Sequence, residues 1–160
     1  MSSTTQFGVV DVETLKSMSG LAFLEAMRDE VLPGPPMAKT LGFRLTQIEH
    51  GKARFEGMPT VEHYNPLGTV HGGWTSTVLD SCMACAVQST LAPGQAFTTL
   101  DLNVNFIRAV TVESGLVFAV GECIHSGRRS ATAEGRLVGR SGKLYAHATT
   151  TCLVFSPKGE

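Results

Sequence analysis

The stretch His63–Val87, "HYNPLGTVHGGWTSTVLDSCMACAV", changes character at His71. Before that point it is polar and rich in turn formers, within a long loop between Pro59 and Gly73. From Gly72 to about Leu91, where "APGQ" ends it, the chain is apolar or small on nearly every side. That run predicts a helix of roughly 30 Å, at 1.5 Å per residue. A helix without a broad polar face must be wrapped by other structure. Inside it stands a single charged side chain, Asp80. A buried carboxylate is costly unless something compensates it, so Asp80 has either a structural partner or a task.

The rest of the chain supplies the wrapping. Upstream, Leu15, Met18, Leu21, Ala22, Leu24, Met27 and Val31 recur at helical spacing, predicting an N-terminal helix within residues 11–32 that "LPGPP" stops. "LGFRLTQIEH" and "KARFEGMP" predict two strands joined at Gly51. Downstream, "FTTLDLNVNFI", "GLVFAVGECIHSG", "SATAEGRLVGR" and "KLYAHATTTCLVF" predict four more, with "SGRRS" and "GRSGK" as hairpin connections. Short turns between successive strands make the sheet mainly antiparallel. The expected class is α+β: six antiparallel strands curved around the long helix, in one domain over residues 11–157, with residues 1–10 a flexible N-terminal segment.

The chain has 160 residues, enough for a single core without staples. Only 17% are charged, below the usual ~25%, which suggests surface hidden in an oligomer. The formal net charge of −1 and the lack of a basic stripe argue against nucleic acid. No apolar run is long enough for a membrane span and the N-terminus lacks a signal-peptide pattern, so a cytoplasmic protein is expected. Cys82, Cys85, Cys123 and Cys152 fit that compartment as free thiols. Cys82 and Cys85 form a C-x-x-C placed mid-helix, where small packing residues are expected rather than a redox pair. His63 and His71 lack a third ligand at convincing spacing, so no metal site is expected.

Around Asp80, local chemistry leaves two readings open. Gly72 and Gly73 expose backbone amides at the helix start, where N–H groups lack intrahelical partners and the dipole is positive. Such amides can hold an oxyanion in acyl transfer; the other reading is that the glycines only permit close packing or a tight turn. Asp80 can act on a reacting group, or be a structural carboxylate bonded to Ser76, Thr77 or Ser81. Its eight-residue distance from Gly72 is roughly 12 Å along the helix. One carbonyl cannot meet both groups of one helix at ~3 Å each. If they cooperate, they come from two copies of the chain with antiparallel helices across a two-fold axis, giving two equivalent sites.

"HYNPLGTVHGGWTSTVLDS" resembles the signature of acyl-CoA thioesterases of the phenylacetic-acid-degradation (PaaI) and 4-hydroxybenzoyl-CoA thioesterase type. The shared pattern is Asn-x5-His-Gly-Gly, then Asp eight residues after the first Gly. "FLEAMRDEVLPGPPMAKTLGF", "TTLDLNVNFIRAV", "HSGRRSATAEGRLV" and "GKLYAHATTTCLVF" extend the resemblance over roughly residues 18–155. It implies a hot-dog fold, homodimers that commonly stack as dimers of dimers, and hydrolysis of an acyl-CoA to an acid and free CoA, with no cofactor beyond the substrate's own CoA. By position, Asp80 is the catalytic carboxylate and the Gly72 amide polarises the carbonyl, together with Gly73 in one arrangement. Asn65 and His71 flank the site, and Thr99 aligns with a hydroxyl residue that positions water. Arg128, Arg129 and Arg108 are the candidates for the CoA phosphates. Trp74 either lines the acyl pocket or packs the interior. The rival readings are a hot-dog hydratase or dehydratase and a non-catalytic acyl-CoA-binding domain.

Overall fold

In the computed structural model, which describes residues 6–156, the order is α1 (Val12–Ser17), α2 (Gly20–Arg28), α3 (Pro36–Leu41), β1 (Phe43–Glu49), β2 (Lys52–Gly57), α4 (Gly72–Gln88), β3 (Ala96–Phe106), β4 (Val117–Ser126), β5 (Ser130–Gly139) and β6 (Leu144–Phe155). The six strands form one antiparallel sheet in the order β1-β2-β4-β5-β6-β3, curved around α4 as the sequence predicts. Burial alternates along β4, β5 and β6, so one face of each strand meets the helix and the other is turned outward.

Two glycines let the helix come close. Gly121 and Gly135 pair across β4 and β5. A side chain at Gly121 would collide with the Cys82 carbonyl, and one at Gly135 would meet Met83 Cγ at 2.9 Å. Val78, Leu79, Cys82, Met83, Ala86 and Val87 are consequently fully buried against the sheet. At the end of α4, the Ser89 hydroxyl donates to the Ala86 carbonyl and accepts from the Gly51 N–H, tying the β1–β2 turn to the helix.

The N-terminal region differs from the single expected helix. Ser19 is extended and caps α2, accepting from the Ala22 N–H, so the helical pattern breaks between Ser17 and Gly20. The Gly20 N–H bonds the Leu91 carbonyl, and Gly20 packs onto the Gln88 carbonyl with no room for a Cβ. A tertiary contact thus replaces one helical hydrogen bond. The proline cluster both stops α2 and starts another helix, since Pro36 occupies the first position of α3. Val31, expected on the apolar face, is exposed beyond the end of α2.

Within the segment expected to be flexible, Phe7 bridges Gly34, with hydrogen bonds from Gly8 N–H to Gly34 O and from Gly34 N–H to Gln6 O. The expected flexibility of residues 1–5, and the domain boundary at residue 157, lie outside the described residues. No helix among the described residues is long and apolar enough to cross a membrane.

Candidate active site

α4 begins where the sequence places it, and its first turn is arranged in an instructive way. His71 is the N-cap: its Nδ1 accepts from the Gly73 N–H at 2.8 Å. Because Nδ1 is an acceptor, a neutral His71 carries its proton on Nε2. The Trp74 N–H bonds the His71 carbonyl. The Gly72 N–H meets no acceptor among the described residues. Of the two glycine amides, Gly73 is therefore committed to its own cap, and Gly72 is left to meet something outside the chain.

The preceding loop is held by its own side chains. Asn65 Oδ1 accepts from the Leu67 N–H at 2.9 Å, and Asn65 Nδ2 donates to Thr69 Oγ1 at 3.0 Å. Asn65 thus closes a turn that presents the start of α4. His63 accepts from the Thr60 N–H and stacks on Trp74, with ring centroids 5.4 Å apart. Trp74 is buried and donates its indole N–H to the Leu41 carbonyl at 2.8 Å. Between its two sequence readings, this places it in the interior.

Asp80 is half-buried, and its Oδ1 accepts from Thr99 Oγ1 at 3.2 Å. The neighbouring hydroxyls do not serve it. Thr77 donates to the Gly73 carbonyl and Ser81 to the Thr77 carbonyl, each one turn back along α4. Thr99, near the start of β3, is the hydroxyl that reaches the carboxylate. Its position is set by pairing with Cys152 on β6 and by a bulge at Leu100.

In the C-x-x-C, Cys82 is fully buried against the sheet and Cys85 is partly buried. Burial, aided by the charge of Cys85, pushes the Cys82 thiol up, and burial with the Asp80 charge pushes Cys85 up to about 12. This direction is opposite to the lowering that activates a reactive thiol.

The face of α4 carrying Gly73, Ser76, Thr77, Asp80, Ser81, Ala84 and Gln88 is left partly open to solvent. Beside it runs β3, an edge strand of 11 residues with no paired strand on its free side among the described residues. Leu102, Val104 and Phe106 pair with Thr150, Ala148 and Ala146, which are buried on the helix side, yet Phe106 is 57% exposed. Two surface concavities, one around Arg54 and Phe118 and one between α2, α3 and β1, lie away from Asp80 and Gly72. Asp80 stands half-buried on this open face of α4, and Gly72 at its start is likewise partly exposed.

The arginines sit at opposite ends of the sheet. Arg128 and Arg129 occupy the β4–β5 turn, beside the Leu153–Val154 end of β6, and their side chains have no partner among the described residues. Arg108 follows Phe106, near the start of α4, and donates to the Leu144 carbonyl at 2.8 Å.

One contact escaped sequence reasoning. A side chain at Gly72 would meet the Phe106 ring at 3.1 Å, so the ring lies directly on the glycine that bears the free amide. The alternation of "LNVNF" is a sign of Phe106's inward face, but nothing local connects it with Gly72.

The thioesterase superfamily's sequence profile matches residues 67–146, half of the chain. The 1,4-dihydroxy-2-naphthoyl-CoA hydrolase of Listeria monocytogenes serotype 1/2a (strain 10403S) is 25% identical over 118 residues, spanning 74% of this chain and 94% of its own. Acyl-coenzyme A thioesterase 13 of Mus musculus is 31% identical over 93 residues, 56% of this chain and 64% of its own. Among solved structures, the phenylacetic acid degradation-related protein of Ralstonia eutropha JMP134 superposes with a TM-score of 0.74 at 32% identity, covering 82% of this chain and 98% of that one. The chain belongs to the thioesterase superfamily of hydrolytic enzymes, and the sheet curved around α4 is that superfamily's hot-dog fold.

Proposed function

We propose that the protein hydrolyses an acyl-CoA thioester to a carboxylic acid and free CoA at sites shared between two copies of the chain. The observation that carries this reading is the pairing of an unused helix-start amide, Gly72, with a hydroxyl-bonded carboxylate, Asp80, farther along the same open helix face. The separation of roughly 12 Å prevents the two from serving one carbonyl within a single chain. A second copy with its helix antiparallel brings one protomer's Asp80 to its partner's Gly72, and a two-fold axis makes two such sites. The unpaired edge of β3, the exposed apolar side chains on its inner face and the small residues along the open helix face support that mate. Stacking of two such dimers is the assembly suggested by the family resemblance.

The chemistry follows from the groups. The Gly72 N–H polarises the thioester carbonyl and holds the negative charge that develops on its oxygen. Thr99 holds one oxygen of Asp80, leaving the other for the reaction. Asp80 either removes a proton from water as it attacks, or attacks the carbonyl itself to give a mixed anhydride that water then cleaves. In both routes the C–S bond breaks, CoA leaves as the thiolate, and the hydroxyl of water ends on the acid. His71 and Asn65 act by presenting the amide: one occupies the Gly73 N–H, the other closes the loop. Arg128 and Arg129 of the Asp80-bearing chain, with Arg108 of the other, stand at the same end of such a dimer, where the CoA phosphates are placed. Arg108 is the weaker candidate because it already donates to Leu144. No cofactor takes part, since CoA enters with the substrate. The four free thiols suit the cytoplasm.

The test is release of free CoA, followed with a thiol reagent, from a panel of aliphatic and aryl acyl-CoAs. The Asp80→Asn variant should lose activity by orders of magnitude while remaining a dimer. Near-normal turnover by a pure Asp80→Asn protein contradicts the assignment. Hydration of an enoyl-CoA without CoA release would show a hydratase instead, and tight CoA binding with neither reaction a binding domain.

A further inference from the structure

We infer that Phe106 walls the acyl pocket beside the Gly72 amide and selects against substituents on the carbon next to the thioester carbonyl. The inference rests on the hydrolase reading above and concerns the shape of the substrate at that same site.

Phe106 closes β3, and its ring reaches Gly72: a Cβ there would lie 3.1 Å from Cζ and 3.2 Å from Cε1. The Cα from which that Cβ would project is bonded directly to the nitrogen whose N–H is free. A carbonyl oxygen accepting from that N–H at ~2.9 Å has its own carbon, and the first carbon of the acyl chain, within van der Waals reach of the ring. Of the two groups on the carbonyl carbon, one is the sulfur leading to the polar CoA arm and the other is the acyl chain. The ring offers only an apolar face, and Leu102 and Val104 continue that face along β3. This surface suits the acyl side. A hydrogen on the first acyl carbon fits against the ring, whereas a methyl there competes with it for space. One methyl in a tight apolar pocket changes kcat/KM by about tenfold or more.

The contact also makes position 72 tight for a side chain, since a Cβ there would press on the ring. The ring takes the place of a Cβ, so the amide stays open while one side of it is walled.

The wild type, Phe106→Ala and Phe106→Leu are assayed by CoA release on two thioester pairs. These are butyryl-CoA against 2-methylbutyryl-CoA and phenylacetyl-CoA against 2-phenylpropionyl-CoA, each differing by one methyl on the first acyl carbon. The wild type should prefer the unbranched member of the pair it uses faster. Phe106→Ala should shrink that ratio by about tenfold, through a rise in kcat/KM for the branched member. Inhibition by free CoA should be unchanged. Phe106→Leu should fall between the two and decides the matter if the alanine variant does not assemble. An equal change in both members of a pair, the signature of a packing or interface role, overturns the inference, as does an unchanged ratio. If the wild type releases CoA from no thioester of the wider panel, the hydrolase reading falls and takes this inference with it.

Discussion

The Gly72 amide can be removed without disturbing the helix it begins. Gly72 is the first residue of α4, where the N–H has no intrahelical partner and proline is well tolerated. The ψ of His71, 136°, lies where a following proline requires it. Gly72→Pro therefore deletes the N–H at a site prepared for proline. Any side chain at this position also meets the Phe106 ring at 3.1 Å, so the ring must yield by a few tenths of an ångström. Gly72→Ala introduces the same Cβ but keeps the N–H, and the ratio of the two variants reports the loss of the donor together with the Cδ that replaces its hydrogen. Loss of one oxyanion donor costs about 10²–10³ in kcat, or ~2.7–4 kcal/mol. Steady-state CoA release at saturating thioester should place kcat of the proline variant below that of the alanine variant by this factor. Both variants should be dimeric with unchanged far-UV circular dichroism. If the two folded variants differ by less than about threefold, Gly72 is not the oxyanion donor.

Two other variants probe the surroundings of Asp80. Thr99→Val removes the hydroxyl bonded to the carboxylate, and kcat should fall by about tenfold with little change in KM, since one hydrogen bond to a charged group is lost at a partly exposed site. A wild-type kcat would mean that the carboxylate is positioned without Thr99. The buried thiols predict an alkaline signature. In the unfolded chain they ionise near pH ~8.5, whereas Cys82 and Cys85 in the fold hold their protons to higher pH, Cys85 to about 12. Above pH ~9 the unfolded state binds fewer protons, so stability falls as pH rises, by at most about 1.4 kcal/mol per pH unit for each thiol. Urea midpoints at pH 8 and 10.5 should show the decline, and Cys85→Ala should reduce it while Cys82 keeps its share. A midpoint that does not move contradicts the burial argument.

The long helix, the six strands and their turns were legible because helical and alternating patterns survive when a segment packs on one contiguous core. The break at Ser19 was not, because it is decided by Leu91 and Gln88, far along the chain. Nor was α3, since a proline cluster reads as a stop and also supplies the first position of the next helix. In the site, the exposed amides at the start of α4 and the isolation of Asp80 could be read from residue types alone. The partner of Asp80 could not: Ser76, Thr77 and Ser81 are nearer in sequence, but Thr77 and Ser81 bond carbonyls of their own helix. Thr99 entered only through resemblance to a family, and its bond to Asp80 depends on the register of β3 against β6. The division of labour between Gly72 and Gly73 follows from the rotamer of His71, and the ring of Phe106 on Gly72 from the curvature of the sheet. Neither has a local signature.

The shared site is tested most directly by complementation. Gly72→Pro and Asp80→Asn chains, each nearly inactive alone, are mixed under conditions where labelled subunits are shown to exchange. In a mixed dimer one site joins the intact Asp80 to the intact Gly72, and the other receives both lesions. With half the dimers mixed, activity should return to about a quarter of the wild-type value. Activity that stays at the sum of the two parent proteins, with exchange demonstrated, would show that Asp80 and Gly72 do not act across the interface.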